Sequence, residues 1–242
     1  MLILAFDTAT DFCTVAVGTE DGVRGEATVA APKAHMEKLL LLIDRVLGQS
    51  GFSIHDVNGL VVGLGPGSFT GVRIGVSTAR GLAQGLNRPV VGVSTLDCIA
   101  YNFISFKKPV CVALDAKRGE VYATLYEFPR GCLKRLTDHR AMAPETLCSL
   151  LRGHPRFTLQ VHPEGVILTG DAIVGYGELF KKRLKGAHFA PSQLWFPRAS
   201  NLLVLGAPKF SAEKGDYNEL VPIYARLSEA EEKLLRRGEK LR

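Results

Sequence analysis

No apolar run in this chain approaches the ~20 residues that a membrane-spanning helix needs, so no membrane association is expected. Paired cysteines are missing too. The five cysteines (Cys13, Cys98, Cys111, Cys132, Cys148) are scattered, odd in number and never spaced C-x-x-C. That excludes a zinc ribbon and suits reduced thiols in a cytoplasm better than a disulfide framework. The six histidines show neither H-E-x-x-H nor H-x-x-x-H spacing, and no serine sits in a G-x-S-x-G elbow. The familiar helical zinc pairs and the strained serine nucleophile are therefore absent. No catalytic residue, metal ligand or cofactor is assigned from these patterns. The opening run Leu2–Phe6 is stopped by Asp7, with no basic residue before it and no small-residue cleavage site after it, so a strand is expected there rather than an export signal.

What is present describes a globular α/β protein. Of the 242 residues, 46% are hydrophobic, enough for a sizeable core, and 22% are charged, too ordinary a share for wholesale disorder. The net charge of +6 is unevenly placed. Residues 1–180 carry 17 basic and 17 acidic side chains, whereas residues 181–242 carry 13 and 7. A basic end attracts nucleic acid, but no aromatic residue is interleaved in the tail after Leu227 as a stacking platform, and a solvated tail explains it as well.

Period-2 apolar runs and turn residues place strands at Leu2–Asp7, Cys13–Gly18 and Val23–Val29, then a helix from about Lys33 to Gln49. A strand at Leu60–Leu64, a glycine-rich loop, a helix from about Thr70 to Leu86 and a strand at Val90–Val93 follow. The opening then recurs: Leu2–Asp7 and Val110–Asp115 are both apolar strands ending in Asp, each followed by a turn and a second strand. That spacing predicts a duplicated α/β unit. Phe106-Lys107-Lys108-Pro109 breaks the pattern, giving an N-terminal lobe over 1–105 and a C-terminal lobe over 106–227, with late segments able to pack back on the first. In the second lobe, helices are expected over 144–151, 172–184 and 198–213, with a loop over 153–165. A charged helical tail over 228–242 opens on Ser228 and Glu231, spaced as a capping box.

Three segments stand out as functional candidates. The loop from Gly63 to Arg73 includes Gly65, Gly67, Ser68 and Thr70 between a strand and a helix, a position where phosphate can sit on backbone N–H groups. It lacks the Lys-Ser/Thr pair of a P-loop and the glycine spacing of a dinucleotide site, so a tight structural turn is the competing reading. In the helix that follows, Gly71, Gly75, Ala79 and Ala83 recur every four residues on one face. Interior helical glycines cost roughly 1 kcal/mol each, which close packing by the same chain or by a partner would offset. In the earlier helix, Met36, Leu40, Ile43 and Leu47 form one stripe, which Leu39, Leu42 and Val46 widen to about 160°, where roughly 100° faces one core. These two helices are expected to supply a docking face, with Leu39 and Leu42 at the outer edge of the arc. Asp7 and Asp115, at strand ends, are either turn caps or the two sides of a magnesium–nucleotide cleft.

The run Gly65-Pro66-Gly67-Ser68-Phe69-Thr70-Gly71-Val72-Arg73-Ile74-Gly75, continuing through Ala79-Arg80-Gly81-Leu82-Ala83 to Gly92-Val93-Ser94-Thr95-Leu96, closely resembles the TsaB (YeaZ) family. So do Phe6-Asp7-Thr8-Ala9-Thr10, the stretch Asp115 to Tyr122, and Pro222-Ile223-Tyr224-Ala225-Arg226. The resemblance implies a two-lobed actin-like/Hsp70-like (ASKHA, RNase H-like) fold. It also implies a non-catalytic role in threonylcarbamoyl transfer to adenosine 37 of tRNAs reading codons that begin with A. In that role the chain would scaffold a TsaD-like catalytic subunit together with a TsaE-like ATPase, meet tRNA through the complex, and pair with itself when alone. TsaD carries a metal on two histidines spaced H-x-x-x-H; the matching positions here are Thr95 and Ile99, which supply no imidazole. A metallopeptidase reading fails on the same absence. The alternative is an ATP-dependent phosphotransferase of the same fold class. Lys117-Arg118 and the tail after Leu227 depart from the family pattern.

Overall fold

The computed structural model describes residues 1–19, 21–153, 165–212 and 215–225. The tail expected after Leu227, with its Ser228–Glu231 pair, lies outside the described residues, as does nearly all of the loop expected over 153–165.

The first lobe is built on β1 (Ile3–Asp7), β2 (Phe12–Thr19), β3 (Gly22–Ala30), β4 (Gly59–Gly63) and β5 (Val90–Val93), in the spatial order β3-β2-β1-β4-β5. β1 pairs antiparallel with β2 and parallel with β4. Its alternate residues enter two different cores. Leu2, Leu4 and Phe6 face α1 (His35–Gln49) and α2 (Phe69–Leu86), while Ile3 and Ala5 face the other way. A strand buried on both faces reads as an unbroken apolar run, as this one does.

The second lobe repeats the scheme. β6 (Val110–Lys117) pairs antiparallel with β7 (Glu120–Glu127) and parallel with β10 (Val166–Thr169), which pairs parallel with β11 (Ala187–Phe189). Short strands β8 (Lys134–Arg135) and β9 (Arg140–Met142) flank β7. The helices α4 (Pro144–Gly153) and α5 (Ala172–Arg183) cover one face, as α1 and α2 do in the first lobe. The duplicated actin-like/Hsp70-like fold is thus present in the strand order itself.

The remaining face of each sheet is covered by a helix from the other half of the chain. α3 (Thr95–Ala100) buries Leu96 and Ile99 against Val110, Val112 and Leu114 of the second sheet. Asp97 on α3 accepts from the Tyr126 hydroxyl (2.8 Å) and the Arg135 guanidinium (2.6 Å), fastening α3 to that lobe. In exchange, α6 (Ala199–Gly206) buries Leu202 and Leu203 against Ile3, Ala16 and Val61 of the first sheet. The single helix expected over 198–213 is broken: Pro208 has no N–H to continue the ladder, and a separate α7 (Lys209–Ala212) follows. The helix expected from Lys33 begins instead at His35, because Lys33 adopts a left-handed turn conformation (φ 61°).

Candidate functional site

The glycine-rich loop is held by its own protein. The Gly65 N–H donates to the Thr95 hydroxyl (3.1 Å), and the Thr95 N–H returns a bond to the Gly65 carbonyl (2.8 Å). The Ser68 N–H donates to the Ala9 carbonyl (2.7 Å), and the Ser68 hydroxyl caps α2 by accepting from Gly71 N–H (3.2 Å). Three amides that a phosphate would need are therefore engaged internally. Gly65 is buried and does not line the adjoining cleft, whereas Gly67, Ser68 and Thr70 do.

The small-residue stripe of α2 is also turned inward. A side chain at Gly71 would strike the Thr8 carbonyl, and one at Gly75 would stand 2.6 Å from the Thr8 hydroxyl. Ala79 and Ala83 are buried in the first core. The expectation that Gly71, Gly75, Ala79 and Ala83 form a docking stripe is corrected accordingly: they let α2 approach β1. On α1, Leu39, Leu42, Ile43 and Val46 are likewise buried in the chain's own core, so they do not form an outer edge. Periodicity measured the width of the apolar arc but not its direction.

What faces outward is a smaller set. Met36, Leu40 and Leu41 of α1 are 75%, 56% and 72% exposed. On the neighbouring α2, Gly81 and Gly85 are exposed, and a side chain added at either would meet nothing within 4 Å. The fold therefore gains no packing from these two glycines, and they leave a bare strip on the outer face of α2.

Between the lobes lies a cleft of about 940 Å³. Its walls come from the β1–β2 turn (Ala9–Asp11), the approach to α1 (Lys33, His35), the start of α2 (Gly67–Ile74), the β6–β7 hairpin (Leu114–Arg118, Tyr122), Asp171 and the returning segment Ile223–Tyr224. Five non-glycine residues have positive φ in the described chain, and three of them, Lys33, Lys117 and Arg118, are cations of this cleft. Lys117 Nζ is paired with Asp115 Oδ2 at 2.8 Å. The Asp115 N–H donates to Asp171 Oδ1 at 2.7 Å. Burial, opposed by that bond, raises the Asp171 carboxyl to about 6. At the rim, Phe69 and Tyr224 pack with ring centroids 5.6 Å apart, and the Arg73 guanidinium sits 3.8 Å above the Phe69 ring. His35 is buried, burial lowers its pKa, and its Nδ1 has no hydrogen-bond partner. Sequence reading offered Asp115 as one side of a cleft and Gly67, Ser68 and Thr70 as a candidate loop, but it did not assemble the rest of this lining. A further signal was the basic Lys117-Arg118 at a hairpin turn, where Asn-Gly is the usual choice.

The two strand-end aspartates are not equivalent. Asp115 lines the cleft; Asp7 is fully buried and is not part of its lining. Asp7 Oδ1 accepts from Ala9 N–H (2.6 Å) and Oδ2 from the Thr95 hydroxyl (2.6 Å). Thr95 and Ile99, the positions of the histidine pair in the resemblance, are thus a hydroxyl already donating to Asp7 and an alkyl group buried in a core. Among the described residues no group of three or more His, Cys, Asp or Glu could hold a metal. No helix among them is long and apolar enough to cross a membrane.

A family model described as "TsaD: tRNA N6-adenosine threonylcarbamoyltransferase" matches residues 27–234. The chain is 33% identical over 235 residues to the tRNA threonylcarbamoyladenosine biosynthesis protein TsaB of Bacillus subtilis, covering 96% of this chain and 97% of that one. The chain belongs to the TsaB (YeaZ) family. Over 131 residues it is 43% identical to TsaB of Escherichia coli, spanning 52% of this chain and about half (55%) of that relative. Among solved structures, YeaZ from Pseudomonas aeruginosa superposes with a TM-score of 0.76 at 28% identity, covering 92% of this chain and 99% of that one. These relatives are named for the biosynthesis of tRNA threonylcarbamoyladenosine, and the chain's involvement in that process follows from its family.

Proposed function

We propose that the chain is a non-catalytic scaffold subunit acting in the cytoplasm. It binds and supports a TsaD-like catalytic subunit, with a TsaE-like ATPase, in threonylcarbamoyl transfer to adenosine 37 of tRNAs reading codons that begin with A. The observation that carries this reading is the outer surface of α1 and α2. Met36, Leu40 and Leu41 of α1 are exposed, and the neighbouring α2 carries two exposed glycines that the chain's own packing does not use. Each glycine costs roughly 1 kcal/mol relative to alanine, a cost that a closely docked helix would offset by dispersion. The related partner can meet this face pseudo-symmetrically, and in its absence the same face supports an isologous pairing of two identical chains. A chemical argument points the same way: Thr95 and Ile99 bring no metal-binding imidazole to the position where the related catalytic protein carries one.

The test is co-elution of the full chain with the TsaD-like protein of its own genome. The wild-type chain is expected to form a stoichiometric complex. Leu40→Glu with Leu41→Glu is expected to abolish it while leaving the melting temperature unchanged. Normal assembly by that variant would sink the reading.

A further inference from the structure

The outer helices leave the inter-lobe cleft without a role, and its chemistry is specific. Its exposed rim is cationic and aromatic: Lys33, Arg118, Phe69 and Tyr224, the two rings being 45% and 49% exposed. Deeper, half-buried Asp115 and Asp171 present carboxylates. Lys33 and Arg118 hold left-handed conformations (φ 61° and 55°) that side-chain-bearing residues seldom adopt. Such strain persists where the surrounding structure enforces it, and it concentrates at ligand sites. A cationic rim tracks phosphates, and half-exposed aromatic rings stack bases; together they are how single strands are gripped. Paired carboxylates suit the exocyclic amino groups of adenine or cytosine, which donate, and not uracil, whose exocyclic oxygens only accept.

We propose that the inter-lobe cleft binds a single-stranded RNA segment, with phosphates along Lys33 and Arg118, a base against Phe69 and Tyr224, and its amino edge toward Asp115 and Asp171. The inference rests on the family's place in tRNA modification for the choice of RNA, and it makes this subunit a direct RNA contact rather than a bystander.

Fluorescence anisotropy of the full chain with short labelled oligo(A), oligo(C), oligo(U) and oligo(dA) tests it. Oligo(A) and oligo(C) are expected to bind more tightly than oligo(U), and RNA more tightly than DNA. Lys33→Gln with Arg118→Gln should flatten the log K against log salt slope by about 1.4, the share of two phosphate contacts on a single strand. Phe69→Ala with Tyr224→Ala should weaken binding about tenfold with little change in that slope. Lys181→Gln with Lys182→Gln, on the exposed side of α5, should change neither. Melting curves accompany each variant; if the aromatic pair unfolds, the Lys33/Arg118 pair decides. Absence of saturable binding at about 10⁻⁴ M, the weak end of non-specific association, would overturn the proposal. So would binding that survives both cleft variants, or AMP alone binding as tightly as the oligomer. Co-elution with the TsaD-like protein is measured on the wild-type chain alongside its RNA titration. Intact pairing without RNA binding overturns the RNA site alone, and RNA binding without pairing overturns the scaffold reading alone.

Discussion

The Thr95 hydroxyl donates to Asp7 Oδ2 at 2.6 Å, joining the start of α3 to the end of β1. Asp7 is fully buried and burial raises its pKa, so this bond and the one from Ala9 N–H are what make a charge tolerable there. Thr95→Val keeps the shape and removes the donor. It is expected to lose about 1–3 kcal/mol of stability at neutral pH, the cost of leaving a buried acceptor unsatisfied. Urea melts measure it, and the loss should shrink in acid, where a protonated carboxyl needs the donor less.

Asp171 carries a pH dependence of defined sign. Its folded pKa, about 6, lies above the ordinary 3.8 because of burial. The stability linked to it is therefore present below about 3.8 and lost as pH rises through about 6. Asp171→Asn keeps an acceptor for the Asp115 N–H and removes the ionisation. Its melting temperature should exceed wild type above pH 6 and converge with it in acid; a uniform shift at all pH values would contradict the assignment.

Leu39 and Leu40 are neighbours with opposite fates. Leu39 is 1% exposed and belongs to the core. Leu39→Ala should cost about 2–5 kcal/mol in chemical denaturation. Leu40→Glu should be nearly silent in the same assay and appear only as lost pairing in size-exclusion chromatography.

Gly81→Ala and Gly85→Ala should act with opposite signs on folding and association. Each added methyl enters open space, so the isolated chain should gain about 0.4–1 kcal/mol. Pairing with the partner should weaken if a helix docks on that strip. Thermal melts and titration of the partner read the two effects separately.

Gly75→Ala makes a useful contrast, because its methyl would stand 2.6 Å from the Thr8 hydroxyl. Overpacking of this kind costs about 1–3 kcal/mol. A lowered midpoint in urea checks it, and it shows why a bulky change there would report on the fold instead of on an interface.

The strands were legible because apolar alternation and turn residues mark them locally; β5 and the recurrence of β1 as β6 were readable directly. The packing direction of α1 and α2 was not. Gly75 and Gly81 are the same letter in the same helix, and only Thr8, distant in sequence, separates their roles. Beyond Asp115 and the glycine-rich loop, the lining of the cleft was invisible for a related reason. Lys33, Phe69, Arg118, Asp171 and Tyr224 belong to segments far apart in the chain, and no spacing rule connects them. A return of late segments to the first lobe was expected, but not which helix would return nor that α3 would cross to the second sheet, since nothing in an amphipathic helix names the sheet it will cover.

That exchange has a consequence during synthesis. When residue 105 leaves the ribosome, the first sheet has α1 and α2 on one face, but Ile3, Ala5, Ala16 and Val61 on the other still await Leu202 and Leu203. At roughly 5–20 residues per second, about 5–20 s pass before α6 is made. Throughout that interval the nascent lobe shows an open apolar surface to the cell, so ribosome-associated chaperones have a defined patch and a defined window in which to hold it.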